Sequence, residues 1–193
     1  MFPKTWVHSE RSNDVQIIDN SVVQFWNKEE SFGWIRTKNP IPMESPRYHF
    51  EIMLLHSNDD QCIIDLGLTS KGLSSDLKIG INNVTEMCKD GSGFRNFPYS
   101  FGYTSRGIIY GTDIKEACNE RLKYSIGDLV GCYVDMENEV CCFTKNGVAQ
   151  NPIIHLSNMD EPLFPTILFS SNGAIINSCF NESKFELDCQ GIY

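Results

Sequence analysis

The chain has 193 residues, one domain's worth, and its 41% hydrophobic content is enough to close a core without cysteine staples. With 25 Asp and Glu against 16 Lys and Arg, the formal charge of −9 repels nucleic-acid phosphates and anionic membrane surfaces. No apolar run approaches the roughly 18 residues of a membrane span, and Lys4, His8 and Glu10 interrupt any signal-peptide core. The expectation is a soluble, monomeric domain of the cytoplasm, with the nucleus as a further location, and with neither a nucleic-acid nor a membrane partner.

Short runs with a period of two recur along the chain and predict strands. They fall at residues 15–18, 21–26 and 48–55, where Tyr48, Phe50, Ile52 and Leu54 alternate with the opposite face, then at 62–68, 99–104 and 108–110. Residues 71–98 mix Gly, Ser, Asn and Asp and read as long loops, with a helical turn expected at 84–88. Residues 112–122 (TDIKEACNERL) are the one other stretch rich in helix formers. Further strands are expected at 129–135 and 139–144, joined by the polar break 135–138, and at 164–170 and 174–180. Asn146-Gly147 and Asn172-Gly173 each predict a tight hairpin, because Asn followed by Gly supplies the positive φ angles such a turn needs. With no repeat, linker or low-complexity tract, the pattern predicts one all-β domain built as a sandwich.

The eight cysteines do not fall into a metal-binding pattern: no CxxC pair occurs, and His8, His49, His56 and His155 are scattered. Cys132, Cys141, Cys142 and Cys179 lie in apolar runs and read as buried, hydrophobe-like thiols. The common nucleophile, phosphate-loop and zinc-protease signatures are missing, so no enzyme and no cofactor is expected. Asp59-Asp60 and Glu29-Glu30 flank turns and read as solvated charges instead of a glycosidase dyad. The sequons at Asn83 and Asn181 matter only for a chain that enters the secretory route.

At the expected hairpin core, Gly127-Asp128-Leu129-Val130-Gly131-Cys132 followed by residues 140–147 (VCCFTKNG) resembles the signature of SPRY domains, within the wider B30.2 group. Other segments fall into order around it: Phe2-Pro3-Lys4-Thr5-Trp6, Pro40-Ile41-Pro42, Tyr48-His49-Phe50-Glu51-Ile52, residues 64–70 (IDLGLTS), residues 99–111 (YSFGYTSRGIIYG) and Leu163-Phe164-Pro165-Thr166. The chain is most similar to the Ran-binding-protein-M type, over nearly its whole length.

This resemblance implies a bent β-sandwich of two antiparallel sheets that binds a partner protein or short peptide through edge loops, without catalysis. It also implies an adaptor or substrate-receptor role in a ubiquitin-ligase assembly. A secreted effector of the same fold is the alternative that the cysteines and sequons leave open, and a lectin-like sandwich using Asp59 or Asp60 is a third reading. The family's pocket loops correspond to residues 26–30, 71–81 and 170–173. Candidate partner-binding residues are therefore Trp26, Asn27, Lys28, Lys71, Asp76, Ser170, Ser171 and Asn172, joined by Tyr103 and Arg106 as anchors. Trp6, Phe143 and Pro165 are assigned to packing. The last pocket turn carries Ser170-Ser171-Asn172 where peptide-binding members with a suppressor-of-cytokine-signalling box carry Val-Trp-Gly. Leu77-Lys78-Ile79-Gly80 and Cys179-Phe180-Asn181 stand where the Ran-binding type has PGW and NFG.

Overall fold

In a computed structural model of the chain, the described residues are 3–26, 33–44, 46–58, 64–70, 100–111, 114–156, 161–170 and 172–181. The strands in chain order are β1 (Trp6–Arg11), β2 (Val15–Ile17), β3 (Val22–Phe25), β4 (Gly33–Thr37), β5 (Arg47–His56), β6 (Ile64–Thr69), β7 (Phe101–Thr104) and β8 (Ile108–Gly111). They continue with β9 (Ile114–Cys118), β10 (Leu129–Asp135), β11 (Val140–Lys145), β12 (Val148–Ala149), β13 (Ile154–His155), β14 (Phe164–Phe169) and β15 (Ile175–Asn181).

These strands form two antiparallel sheets. The first runs β1-β4-β14-β6-β7-β8-β9, and the second runs β12-β11-β10-β5-β15-β3-β2 with β13 beside β11. Alternation decides what each strand buries. Tyr48, Phe50, Ile52 and Leu54 of β5 join Val130, Cys132 and Val134 of β10, Leu66 and Leu68 of β6, and Ile167 and Phe169 of β14 in one buried cluster. Trp6 and Phe143 belong to it, and Pro165 is buried too, as expected of packing residues. The Trp6 indole N–H donates to Ser178 Oγ at 2.7 Å, tying β1 to β15 in the other sheet. Trp34, Ile108, Tyr110 and Leu168 make a second, smaller cluster on the outer face of the first sheet.

Several expectations need correction. Of the stretch 112–122, the described residues 114–122 do not form a helix: β9 pairs with β8, and one 3-10 turn (Glu120–Leu122) follows, with Asn119 Oδ1 accepting the Arg121 N–H. Pairing with an existing sheet edge outweighs a weak helix preference. Asn146-Gly147 is the expected two-residue hairpin, with φ of 51° and 78°. Asn172-Gly173 is not a hairpin, because β14 and β15 lie in different sheets; there the turn carries the chain across the sandwich, and only Gly173 has a positive φ, of 74°.

Strand β4 gave no period-two signal, since Gly33, Trp34, Ile35, Arg36 and Thr37 are buried on both faces. Burial of Arg36 is supported by Glu10 at 2.6 Å and by the Phe164 ring 4.7 Å beneath its guanidinium. The expected loops at 71–98 and the helical turn at 84–88 lie outside the described residues.

Cys132, Cys141, Cys142 and Cys179 are free thiols. The first three are buried as expected, and the Cys132 and Cys141 sulfurs sit 3.5 Å apart in the core. Cys179 is exposed, because its position on β15 faces away from the core.

Candidate partner-binding edge

One end of the sandwich gathers the ends of strands from both sheets. Phe169 at the end of β14 pairs with Gly33 at the start of β4 and with Ile64 at the start of β6. At the neighbouring end of the second sheet, the Phe25 N–H donates to the Ala174 carbonyl at 2.9 Å, and the Gly173 N–H donates to the Phe25 carbonyl at 3.0 Å. Beneath this junction the Phe25 ring stacks on Phe169, with centroids 5.6 Å apart. The β7–β8 turn is pinned here as well: the Ser105 N–H donates to the Ile64 carbonyl at 2.9 Å, and Ser105 Oγ accepts the Ile64 N–H at 3.2 Å.

The 172–173 turn also rests on Asn58, whose N–H donates to the Asn172 carbonyl at 3.4 Å and whose side-chain oxygen lies 3.1 Å from His56 Nε2. A Cβ on Gly173 would stand 2.2 Å from the Asn58 amide nitrogen, on a backbone whose φ already disfavours a side chain. Gly173→Ala is therefore expected to lower stability by about 2 kcal/mol. Placing the same change in an Asn58→Gly background should recover the part due to the collision, and a thermodynamic cycle of denaturant melts measures that coupling.

The expected site residues separate on this scaffold. Trp26, 49% exposed, stands at the gathered end with its N–H donating to the Asp14 carbonyl at 2.9 Å. Exposed Asn172, half-buried Ser170 and half-buried Arg106 are at the same end. Asn27, Lys28, Lys71, Asp76 and Ser171 lie outside the described residues.

The segment that carries Lys71 and Asp76 leaves β6 after Thr69, which pairs with Phe164, whereas the Trp26 end of that strand is Ile64. Five residue steps of about 3.3 Å separate the two departures, so the three expected pocket loops do not spring from one end.

Tyr103 is not a surface anchor. Alternation along β7 turns it inward, where it is fully buried, donates its hydroxyl to the Leu122 carbonyl and meets the Tyr124 ring edge-on at 5.0 Å. Burial, aided by the negative charge of Asp128, raises its pKa. Asp14, His56, Asn58 and Ser105 belong to the edge and were missed. Nothing local in the sequence marks them, because their roles arise where segments distant in the chain meet.

The motif residues around Asp128 and Asn146 serve the fold. Asn146 Nδ2 donates to Asp128 Oδ1 at 2.8 Å, the Ser125 N–H donates to Asp128 Oδ2 at 2.9 Å, and the Leu129 N–H donates to Asn146 Oδ1 at 2.9 Å. Partial burial works against the Asp128 carboxylate. The Asn146 and Ser125 hydrogen bonds, with Lys145 nearby, outweigh it and hold its pKa below the ordinary value.

Among the described residues, no three His, Cys, Asp or Glu side chains converge as a metal site would require. His49 and Glu51 approach within 3.8 Å on the outer face of the second sheet. Burial pushes the His49 pKa down to about 4, so the pair is not an ion pair at neutral pH.

Residues 47–182 match the SPRY domain family. The chain belongs to that family. SPRY domains are protein-interaction modules, and the two packed antiparallel sheets are the expected β-sandwich. Among curated proteins, Ran-binding protein 10 of Danio rerio is 21% identical, with the match covering 97% of this chain and 29% of that protein. The Ran-binding proteins 9/10 homolog of Drosophila melanogaster is 26% identical over 80% of this chain and 14% of its own length. The chain thus spans less than a third of these relatives. Among solved structures, the SPRY domain of human HERC1 aligns with a TM-score of 0.64 at 14% identity, covering 93% of this chain and 99% of that one. The TRIM65 PSpry domain aligns at 0.59 and 13% identity, covering 93% of each chain.

Proposed function

We propose that this SPRY domain is a non-catalytic adaptor that holds a partner protein or short peptide at the Trp26–Asn172 end, acting in the cytoplasm as a substrate receptor or scaffold of a ubiquitin-ligase assembly. The observation that carries this reading is Trp26: a large apolar side chain left half exposed on a backbone fixed by Asp14, next to a turn fixed by Phe25 and Asn58. A rigidly presented aromatic binds with little loss of conformational entropy. Arg106 at the same end adds a guanidinium that can reach a partner's carboxylate or carbonyl.

The curated relatives are named for binding Ran, which makes Ran a specific protein to look for among the partners. The test is a pull-down from the native cytosol with the wild type and with the triple variant Trp26→Ala, Arg106→Ala, Ser171→Arg, both shown to be folded by thermal melting. The partner, and any ubiquitin-ligase subunits that come with it, should be lost from the variant; identical partner lists would overturn the edge as the binding site. Thiol counting decides against a secreted effector if all eight cysteines titrate as free.

A further inference from the structure

Strands β2 and β3 pair so that Val15 faces Phe25, Gln16 faces Gln24 and Ile17 faces Val23. Continuing that register by one step sets Asp14 opposite Trp26, and the Trp26 N–H to Asp14 carbonyl bond at 2.9 Å shows that the step is made. Val15 and Phe25 point into the core, so Asp14 and Trp26 share the outer face of the sheet as a cross-strand pair. Directly opposed residues of an antiparallel pair have their Cβ atoms only about 5 Å apart. Asp14 and the 49% exposed Trp26 therefore leave the same face of the sheet side by side, on a backbone fixed from two directions.

An indole face attracts a cation through its quadrupole, and a neighbouring carboxylate gives the same cation a hydrogen-bonding counter-charge. The chain as a whole carries −9, which draws basic segments towards it and repels acidic ones. We propose that the Trp26–Asp14 pair reads a basic side chain of the partner, arginine in preference to lysine. Arginine is favoured because a planar guanidinium can stack on the indole while its edge N–H groups reach the carboxylate. This rests on the Trp26 end being the binding edge and specifies what it recognises there.

The probes are three soluble peptides, Gly-Ser-Xaa-Ser-Gly, in which Xaa is arginine, lysine or the uncharged isostere citrulline. The readout is the indole N–H resonances in nitrogen-15-labelled protein. Of the three tryptophans, Trp6 and Trp34 are buried, so the Trp26 signal reports the site alone. The arginine peptide should shift the Trp26 resonance saturably, lysine more weakly and citrulline hardly at all. Asp14→Asn should weaken the arginine response by about two- to fivefold, the size expected of an exposed cation–π and charge contact.

Equal shifts with arginine and citrulline, or an Asp14→Asn variant that titrates like the wild type, would overturn the proposal. If the arginine peptide leaves Trp26 unmoved while the pull-down partner is still lost from the triple variant, the binding edge stands and its basic specificity falls. If the pull-down list is unchanged as well, both fall.

Discussion

Acidification from pH 6.5 to pH 4 should cost the folded protein stability through His49, by up to about 3 kcal/mol. The ordinary imidazole value of 6.5 is pushed down to about 4 by burial on the outer face of the second sheet. The folded state therefore refuses a proton that the unfolded state accepts throughout that window. Stability is fully present above pH 6.5 and is lost as the pH falls towards the folded value, at about 1.4 kcal/mol for each pH step of one across the window. Glu51, 3.8 Å away, acts in the opposite sense: burial raises its pKa, so its own contribution grows as the pH falls towards the ordinary carboxyl range. Denaturant melts at pH 7, 6, 5 and 4 should show a steeper loss in Glu51→Gln than in the wild type and a shallower one in His49→Gln. Parallel curves for wild type and His49→Gln would remove His49 as the source.

Phe25→Ala should destabilise the domain by about 3–5 kcal/mol, the range for deleting a fully buried aromatic ring. The ring is 1% exposed, stacks on Phe169 and closes over Gly33, where a Cβ would approach it to 2.4 Å. Its removal leaves a cavity at the junction of the two sheets, under the backbone bonds that hold Gly173 and Ala174. Phe25→Leu, which keeps most of the volume, should lose less, and Val148→Ala, at a site 64% exposed, should stay within about 0.5 kcal/mol of the wild type. Urea melts at neutral pH compare the three. A loss below about 1 kcal/mol for Phe25→Ala would mean that the sheets do not close over this ring.

Much of the architecture was legible in the chain because strand periodicity is local. Tyr48, Phe50, Ile52 and Leu54 face the core as their alternation requires, and Asn146-Gly147 makes its hairpin because both positive φ angles are supplied within the dipeptide. The SPRY signature was legible for a related reason: the residues around Asp128 and Asn146 bond to one another across a single hairpin core.

Where a residue's role depends on a distant segment, the sequence was silent or misleading. Strand β4 carries no period-two signal, and its buried Arg36 is matched only when Glu10 and Phe164 are brought to it. The helix formers at 114–118 become a strand only because β8 offers an unpaired edge. Tyr103 reads as a surface anchor until β7 turns it into the core. The two copies of the same dipeptide state the difference most plainly: Asn172-Gly173 contains the local chemistry of a hairpin, yet it crosses between the sheets. Its neighbours β14 and β15 each find their partners elsewhere, on β4 and β6 and on β3 and β5.

Composition and periodicity by themselves determined an acidic, all-β domain, and the quoted motifs determined its family, since alternation, turn chemistry and net charge are properties of neighbouring residues or of the whole chain. Only the tertiary structure decided which residues meet at the edge proposed to hold the partner. Asp14, Trp26, Asn58 and Asn172 are far apart in sequence, and backbone hydrogen bonds between strands and turns bring them together.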